Sequence, residues 1–171
     1  MELTVHTTYD TKALTALAKA LRKTVRVKSS RVTRLIAWSI ILICLLLIWC
    51  SLNEPWSVVQ YAFVIILLGV ISWKEDALNA FFALRKGMPD LKECTTVFSE
   101  DHFETSLSGV VSQWAYSRII ALAETDAYLV LILSKNQGHI CEKSSLDSGS
   151  IEALRSFLEE KTGLTIQRIR G

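Results

Sequence analysis

Between Leu35 and Trp73 the chain reads LIAWSIILICLLLIWCSLNEPWSVVQYAFVIILLGVISW, and this stretch limits what everything else can fold into. Leu35 to Leu52 and Pro55 to Trp73 carry no charge and are parted only by Asn53 and Glu54. As helices rising about 1.5 Å per residue, the two runs are each roughly 27–28 Å long, close to the hydrocarbon thickness of a bilayer. A buried hairpin in a soluble protein would keep a polar face, whereas Ile40 to Ile43 and Leu45 to Ile48 place apolar side chains, with Cys44, all round the first run. Trp38, Trp49, Trp56 and Trp73 lie near the ends, where amphipathic rings settle at headgroup level. The expectation is a two-span transmembrane hairpin over residues 35–73.

Mid-membrane ionisable groups are absent from both runs, which argues against a channel or a proton relay. Ser57, Gln60 and Gly69 are the candidates for packing against a membrane partner. Charge outside the hairpin is uneven. Residues 1–34 are strongly basic, residues 74–86 mildly so, and residues 87–171 acidic, within a total of +2. Because the basic groups that flank the spans lie outside the turn, the positive-inside rule places both termini in the cytoplasm. No cleavable leader is expected, since the apolar run begins after a basic lead and has no small-residue cleavage site. Cys94 and Cys141 then fall in a reducing compartment, where a structural disulfide is not expected.

Leu3, Val5 and Thr7 alternate with polar neighbours, as in a short strand, and Asp10 is placed to cap a following helix. From Thr11 to about Val27 the residues Leu14, Leu17, Ala18, Leu21 and Val25 recur at helical spacing, with Lys19, Arg22, Lys23 and Arg26 among the remainder. This basic amphipathic helix fits two uses: lying on an anionic lipid surface, or packing on the acidic C-terminal region. Lys28 to Arg34 reads as a polar link. After Trp73 the helical pattern continues through Ala77, Leu78, Phe81, Phe82 and Leu84 to stop signals at Gly87 and Pro89, as one rigid extension out of the membrane.

From residue 90 the period becomes two. Segments 91–99, 102–116, 118–125, 127–134 and 138–143 are strand-like and separated by turn signals. The continuous apolar run AYLVLIL is expected to be a central strand, buried on both faces. A helix from Ser150 to about Lys161 offers Ile151, Leu154, Phe157 and Leu158 as its inner stripe, and the tail alternates as an edge strand would. The fold class is therefore an α+β membrane protein. Its parts are an N-terminal strand and basic helix (1–34), the hairpin (35–73), a juxtamembrane helix (74–89), and a small antiparallel β-barrel or open sheet capped by a C-terminal helix (90–171).

The stretches Phe98 to Thr105, Trp114 to Glu124, Tyr128 to Leu131, His139 to Lys143 and Phe157 to Gly163, with the N-terminal strand and Asp10, resemble the YcxB-like family of bacterial membrane proteins. Cys141 and Glu142 depart from it, standing where an apolar residue and proline are more usual. The resemblance implies a bacterial inner-membrane protein with a pleckstrin-homology-like (PH-like) cytoplasmic domain, and implies no activity.

His102 and Glu104 share a strand face by parity, as do His139 and Cys141, and with Cys94 they are the candidates for a nucleophile with its base or for a metal. Neither pair has the spacing of a zinc site, and no phosphate-binding glycine loop or GxSxG accompanies them. Trp114, Tyr116 and Arg118 alternate along one expected strand, either as a partner or headgroup surface with Arg118 contacting an anion, or with both rings in the core. The net acidic C-terminal region disfavours nucleic acid as a partner. The expected protein is non-enzymatic, holds no cofactor, and contacts membrane lipid and an unidentified protein partner. That partner is a cytoplasmic protein or, if this is an immunity protein, a toxin acting at or in the membrane. With the four natural cysteines replaced, Ser51→Cys in intact spheroplasts should react with a membrane-impermeant maleimide. Reaction only after permeabilisation would reverse the orientation.

Overall fold

Residues on either side of the apolar hairpin pair with one another. In the computed structural model, which describes residues 3–86, 93–107, 109–147 and 149–169, strand β1 (Leu3–Thr8) runs antiparallel to β2 (Glu93–Phe98), from Leu3 opposite Phe98 to Thr8 opposite Glu93. The hairpin is thus an insertion into one folded unit. Gly87, Pro89, Leu91, Ser108, Arg170 and the side chain of Leu84, each used in the sequence reading, lie outside the described residues.

Asp10 caps α1 (Thr11–Thr24), its carboxylate accepting from the Ala13 amide at 2.7 Å. The chain breaks at Val25 and Arg26 and restarts as α2 (Val27–Cys50). Lys28 to Arg34 is therefore not a polar link: it forms the opening turns of the first apolar helix, which at about 1.5 Å per residue is roughly 36 Å long. A turn over Ser51 to Asn53 leads to α3 (Pro55–Trp73), with Pro55 at its first position, where its missing N–H costs nothing. None of α3 is buried, and in α2 only Ser30 and Cys44 are. Trp49, Trp56 and Trp73 are 79, 73 and 90% exposed. Helices this long and apolar, left exposed by the rest of the described residues, have the length and composition of membrane spans. With β1 and β2 in one sheet, the segments before and after them lie on one side of the membrane.

The rigid extension expected after Trp73 is not formed. The helix ends at Lys74 (φ −98°, ψ 22°), and α4 (Glu75–Lys86) starts a new one that lies against α1. Two acidic residues, Glu75 and Asp76, occupy its first turn, where the helix dipole favours them.

The aqueous unit holds two four-stranded sheets. In the first, β1, β2, β3 (His102–Leu107) and β4 (Val110–Ala115) follow in sequence order and are all antiparallel. The second is ordered β7 (Gly138–Glu142), β6 (Tyr128–Ile132), β5 (Ala121–Glu124), β8 (Ile166–Arg168). Here β8 pairs β5 in parallel, from Leu122 opposite Ile166 to Glu124 opposite Arg168, because α5 (Ile151–Thr162) carries the chain back. Of the barrel and the open sheet expected, the open form is the one observed, as two sheets that do not close into a barrel. They come together at β1 and β7, where the Glu142 amide donates to Thr7 Oγ1 at 3.1 Å.

As expected, β6 is an inner strand, with Leu129 to Ile132 fully buried. Leu129 and Leu131 face the first sheet in a core with Leu3, Val5, Phe98, Phe103, Leu122, Leu154 and Leu158. Val130 and Ile132 face the opposite way, packing with Ile140 beneath Ala13, Ala20 and Leu21 of α1. Of the two readings of the basic helix, packing is the one realised: its apolar stripe covers the second sheet. Helix α5 begins at Ser150, whose hydroxyl accepts from Ala153 N, and ends at Gly163 in the left-handed region (φ 68°) that favours glycine.

At Gly138, α1 lies close against β7 through Leu17. A Cβ there would stand 2.9 Å from the Leu131 carbonyl oxygen and 3.1 Å from Leu17 Cδ1. Gly138→Ala should destabilise the unit by about 1–3 kcal/mol in chemical denaturation of the detergent-solubilised chain. Adding Leu17→Ala should give no rescue, because the carbonyl clash remains.

Candidate functional site

Three features bear on function: a clasp of charges at the membrane boundary, a buried ionic cluster, and a cavity between the sheets. The clasp begins with Arg22 in the last turns of α1, whose Nε and Nη2 donate to the two Asp76 carboxylate oxygens at 2.7 and 2.6 Å. Asp76 holds the Arg22 pKa above its ordinary value. Arg34 reaches Glu75 at 3.5 Å. Arg26, between α1 and α2, donates to the Lys135 carbonyl at 2.6 Å and to Asn136 Oδ1, so it grips the β6–β7 turn. The entry to the first span, the exit from the second and the second sheet are joined within a few residues. Lys19 lies beside the β5–β6 turn, and Lys23 is exposed at the end of α1.

In the second cluster Glu124, only 6% exposed at its side chain, accepts from Arg155 Nε at 3.0 Å, from Arg155 Nη2 and from Lys143 Nζ. Lys143 also donates to the Thr125 and Asp126 carbonyls. Burial by itself would raise the Glu124 pKa; the hydrogen bonds and charges of Arg155 and Lys143 outweigh it and hold the carboxyl below 4.5. Every member of this cluster is engaged by another, so it ties β5 to α5 and offers no unshared charge to a ligand.

The cavity measures about 420 Å³ and lies between the inner face of β3 and β4 and the start of β7. Leu107, Val110, Ser112 and Trp114 form one wall, Gln137 to His139 another, and Tyr9 and Cys94 the floor. The Trp114 and His139 rings stand 5.6 Å apart, and His139 meets Phe103 edge-on at 5.8 Å. Trp114 Nε1 and His139 Nε2 are buried without a hydrogen-bond partner among the described residues. Such atoms cost roughly 1–3 kcal/mol each when left unsatisfied. Burial lowers the His139 pKa, keeping the ring neutral at pH 7, and raises the Tyr9 hydroxyl and both thiols, that of Cys141 to about 12. A thiol so shifted is not a nucleophile at neutral pH.

The histidine and cysteine candidates do not form one site. His102 Nε2 lies 3.1 Å from Glu104 Oε1, with Gln113 donating to the same oxygen, on the outer face of the first sheet. His139 and Cys141 face inward from the second. Among the described residues no group of three or more potential metal ligands converges. Trp114, Tyr116 and Arg118 do not share a strand: β4 ends at Ala115, and Tyr116 to Arg118 make a short 3-10 turn. Tyr116 is buried, its hydroxyl donating to the Ser99 carbonyl at 2.6 Å, while Arg118 is exposed. In the spans, Ser57 donates to Glu54 Oε2 at 3.1 Å, and Gln60 is exposed. Sequence reasoning missed the Glu124 cluster, which joins β5 to α5 and to the turn after β7, and the pairing of Trp114 with His139, which face each other from different sheets, since only tertiary packing brings these elements together. The opposite charges flanking the hairpin at Arg34 and Glu75 were a usable signal, because two ends of one hairpin must be neighbours.

The molecule is thus an α+β protein that inserts a two-helix membrane hairpin into a double-sheet aqueous unit. Residues 98–158, from the end of β2 into α5, match the model of the family described as YcxB-like protein. No curated protein matches the chain.

The Glu124 cluster makes stability depend on pH with a definite sign. With the folded pKa below 4.5, the unfolded chain takes up the proton first, so the contribution is complete above about pH 4.5 and is lost as pH falls through the folded value. Glu124→Gln should cost roughly 1–3 kcal/mol at pH 7, and the difference from the parent in thermal unfolding should shrink below pH 4.

Proposed function

We propose that this chain is a non-enzymatic protein of the bacterial inner membrane, with both termini in the cytoplasm, which presents a PH-like domain to a protein partner. The observation that carries this reading is the double attachment of the domain. β1 and α1 precede the hairpin, α4 and β2 follow it, β1 pairs with β2, and Arg22 to Asp76 and Arg34 to Glu75 bind the two sides together. A domain held at fixed height and angle suits presentation of a surface. The basic residues Lys28, Arg31 and Arg34 at the head of α2 support the cytoplasmic orientation.

A second reading, an immunity protein that neutralises a toxin at or in the inner membrane, is favoured by Gln60. Its amide is exposed on α3 among apolar neighbours, and a polar group facing lipid is costly unless a partner satisfies it. A photo-crosslinking residue placed at Arg118 or at Gln60 in living cells separates the two. Presentation to a cytoplasmic partner expects a discrete protein adduct from position 118 that survives exchange of 35–73 for an unrelated two-span hairpin. The immunity reading expects the adduct from position 60 and its loss on exchange. Lipid adducts alone from both positions would overturn both readings.

A further inference from the structure

We infer that the cavity between the sheets is a binding site for a neutral, largely apolar small molecule bearing one hydroxyl or carbonyl oxygen, held by Trp114 Nε1 and His139 Nε2. At about 420 Å³ it falls within the range of small-molecule sites, roughly 300–1,000 Å³. None of its lining residues is charged, so an ionised ligand would enter without a counter-charge. The walls are mainly apolar, with the uncharged polar groups of Tyr9, Thr105, Ser112 and Gln137 among them, and Trp114 and His139 come together there from different sheets with polar atoms that have no partner among the described residues. An indole N–H only donates, which requires an acceptor on the ligand; a neutral imidazole nitrogen donates or accepts according to tautomer, so either a hydroxyl or a carbonyl oxygen completes the set. The rim at Gln137 adjoins the turn that Arg26 grips, one residue before α2, the helix that leads through Lys28 to Arg34 into the first span, so delivery from the membrane and delivery from water are both tested.

The test uses the full chain in phosphatidylcholine nanodiscs, labelled with 5-fluorotryptophan, the Trp114 resonance being assigned with Trp114→Phe. Decanol reports a ligand delivered from the membrane, p-cresol one delivered from water, and decanoate at pH 8 an ionised analogue. The expected result is a saturable shift of the Trp114 resonance with decanol or p-cresol, whichever saturates naming the source, while the four span tryptophans respond only in proportion to partitioning. Ser112→Phe, which fills the cavity, should weaken binding about tenfold or more, and Val110→Phe at the exposed rim serves if the first variant fails to fold. No saturable shift with either neutral probe would overturn the site. Unchanged affinity in the folded filling variant would place binding elsewhere, and equal saturation by decanoate would overturn the preference for a neutral ligand.

Discussion

The ladder between β1 and β2 is the constraint on which the rest depends. Six residues that precede the spans complete a sheet whose other strands follow them, so the first sheet cannot finish until the hairpin is in place. Leu3 and Val5 are almost fully buried beside Phe98 and Phe103, so losing the ladder would open the core and not merely fray an edge. Such a pairing, between residues about ninety positions apart, closes a large loop. Loop entropy grows only slowly with length, and the hairpin itself shortens the effective loop by returning the chain to the side it left.

That return explains the arrangement of charges. Helices α1 and α4 meet where the chain leaves and rejoins the membrane boundary, a place where an unpaired ion is expensive and a paired one keeps both helices in register. Arg22 and Asp76 are each less than one-fifth exposed, so their bidentate pair is better sheltered from screening than Arg34 and Glu75, where the arginine is nearly half exposed. Arg26 extends the same boundary to the second sheet. The breaks at Val25 to Arg26 and at Lys74 are what allow this. A continuous α1–α2 or α3–α4 helix would carry these arginines and carboxylates past one another.

Local features were legible in the sequence because each element carries its own period. The spans, the Asp10 cap, the last helix from near Ser150 and the buried β6 all depend on neighbours within a few residues. What could not be read was the partner of each face. The heptad-like stripe of α1 looks the same whether lipid or a β-sheet covers it, and only the presence of Val130, Ile132 and Ile140 opposite decides. Tyr116 kept the parity of a strand residue but belongs to a 3-10 turn, since Ile119 must still turn inward before β5 begins. Likewise the tail alternates as any edge strand would, and its parallel pairing follows from α5 crossing between β7 and β8. Of the cavity, sequence parity already put His139 and Cys141 on one face, but it could not place Trp114 of the other sheet opposite them.

The open architecture and the cavity have one cause. Two sheets that meet at β1 and β7 without closing leave a space between their inner faces that side chains must fill. Near Phe98, Phe103, Leu129 and Leu131 they do so, with Leu154 and Leu158 of α5 closing the end. On β3 and β4 the paired Thr105 and Ser112 are the small inward residues, set between Leu107 and Val110 on one side and Phe103 and Trp114 on the other, and the cavity lies against them with Gly138 and His139 among its lining. The space that remains is bounded by the same β7 that α1 clamps through Leu17 and whose preceding turn Arg26 holds. A change in how the sheets sit at the cavity is therefore mechanically connected to the helix that enters the membrane, through packed elements and not through a linker.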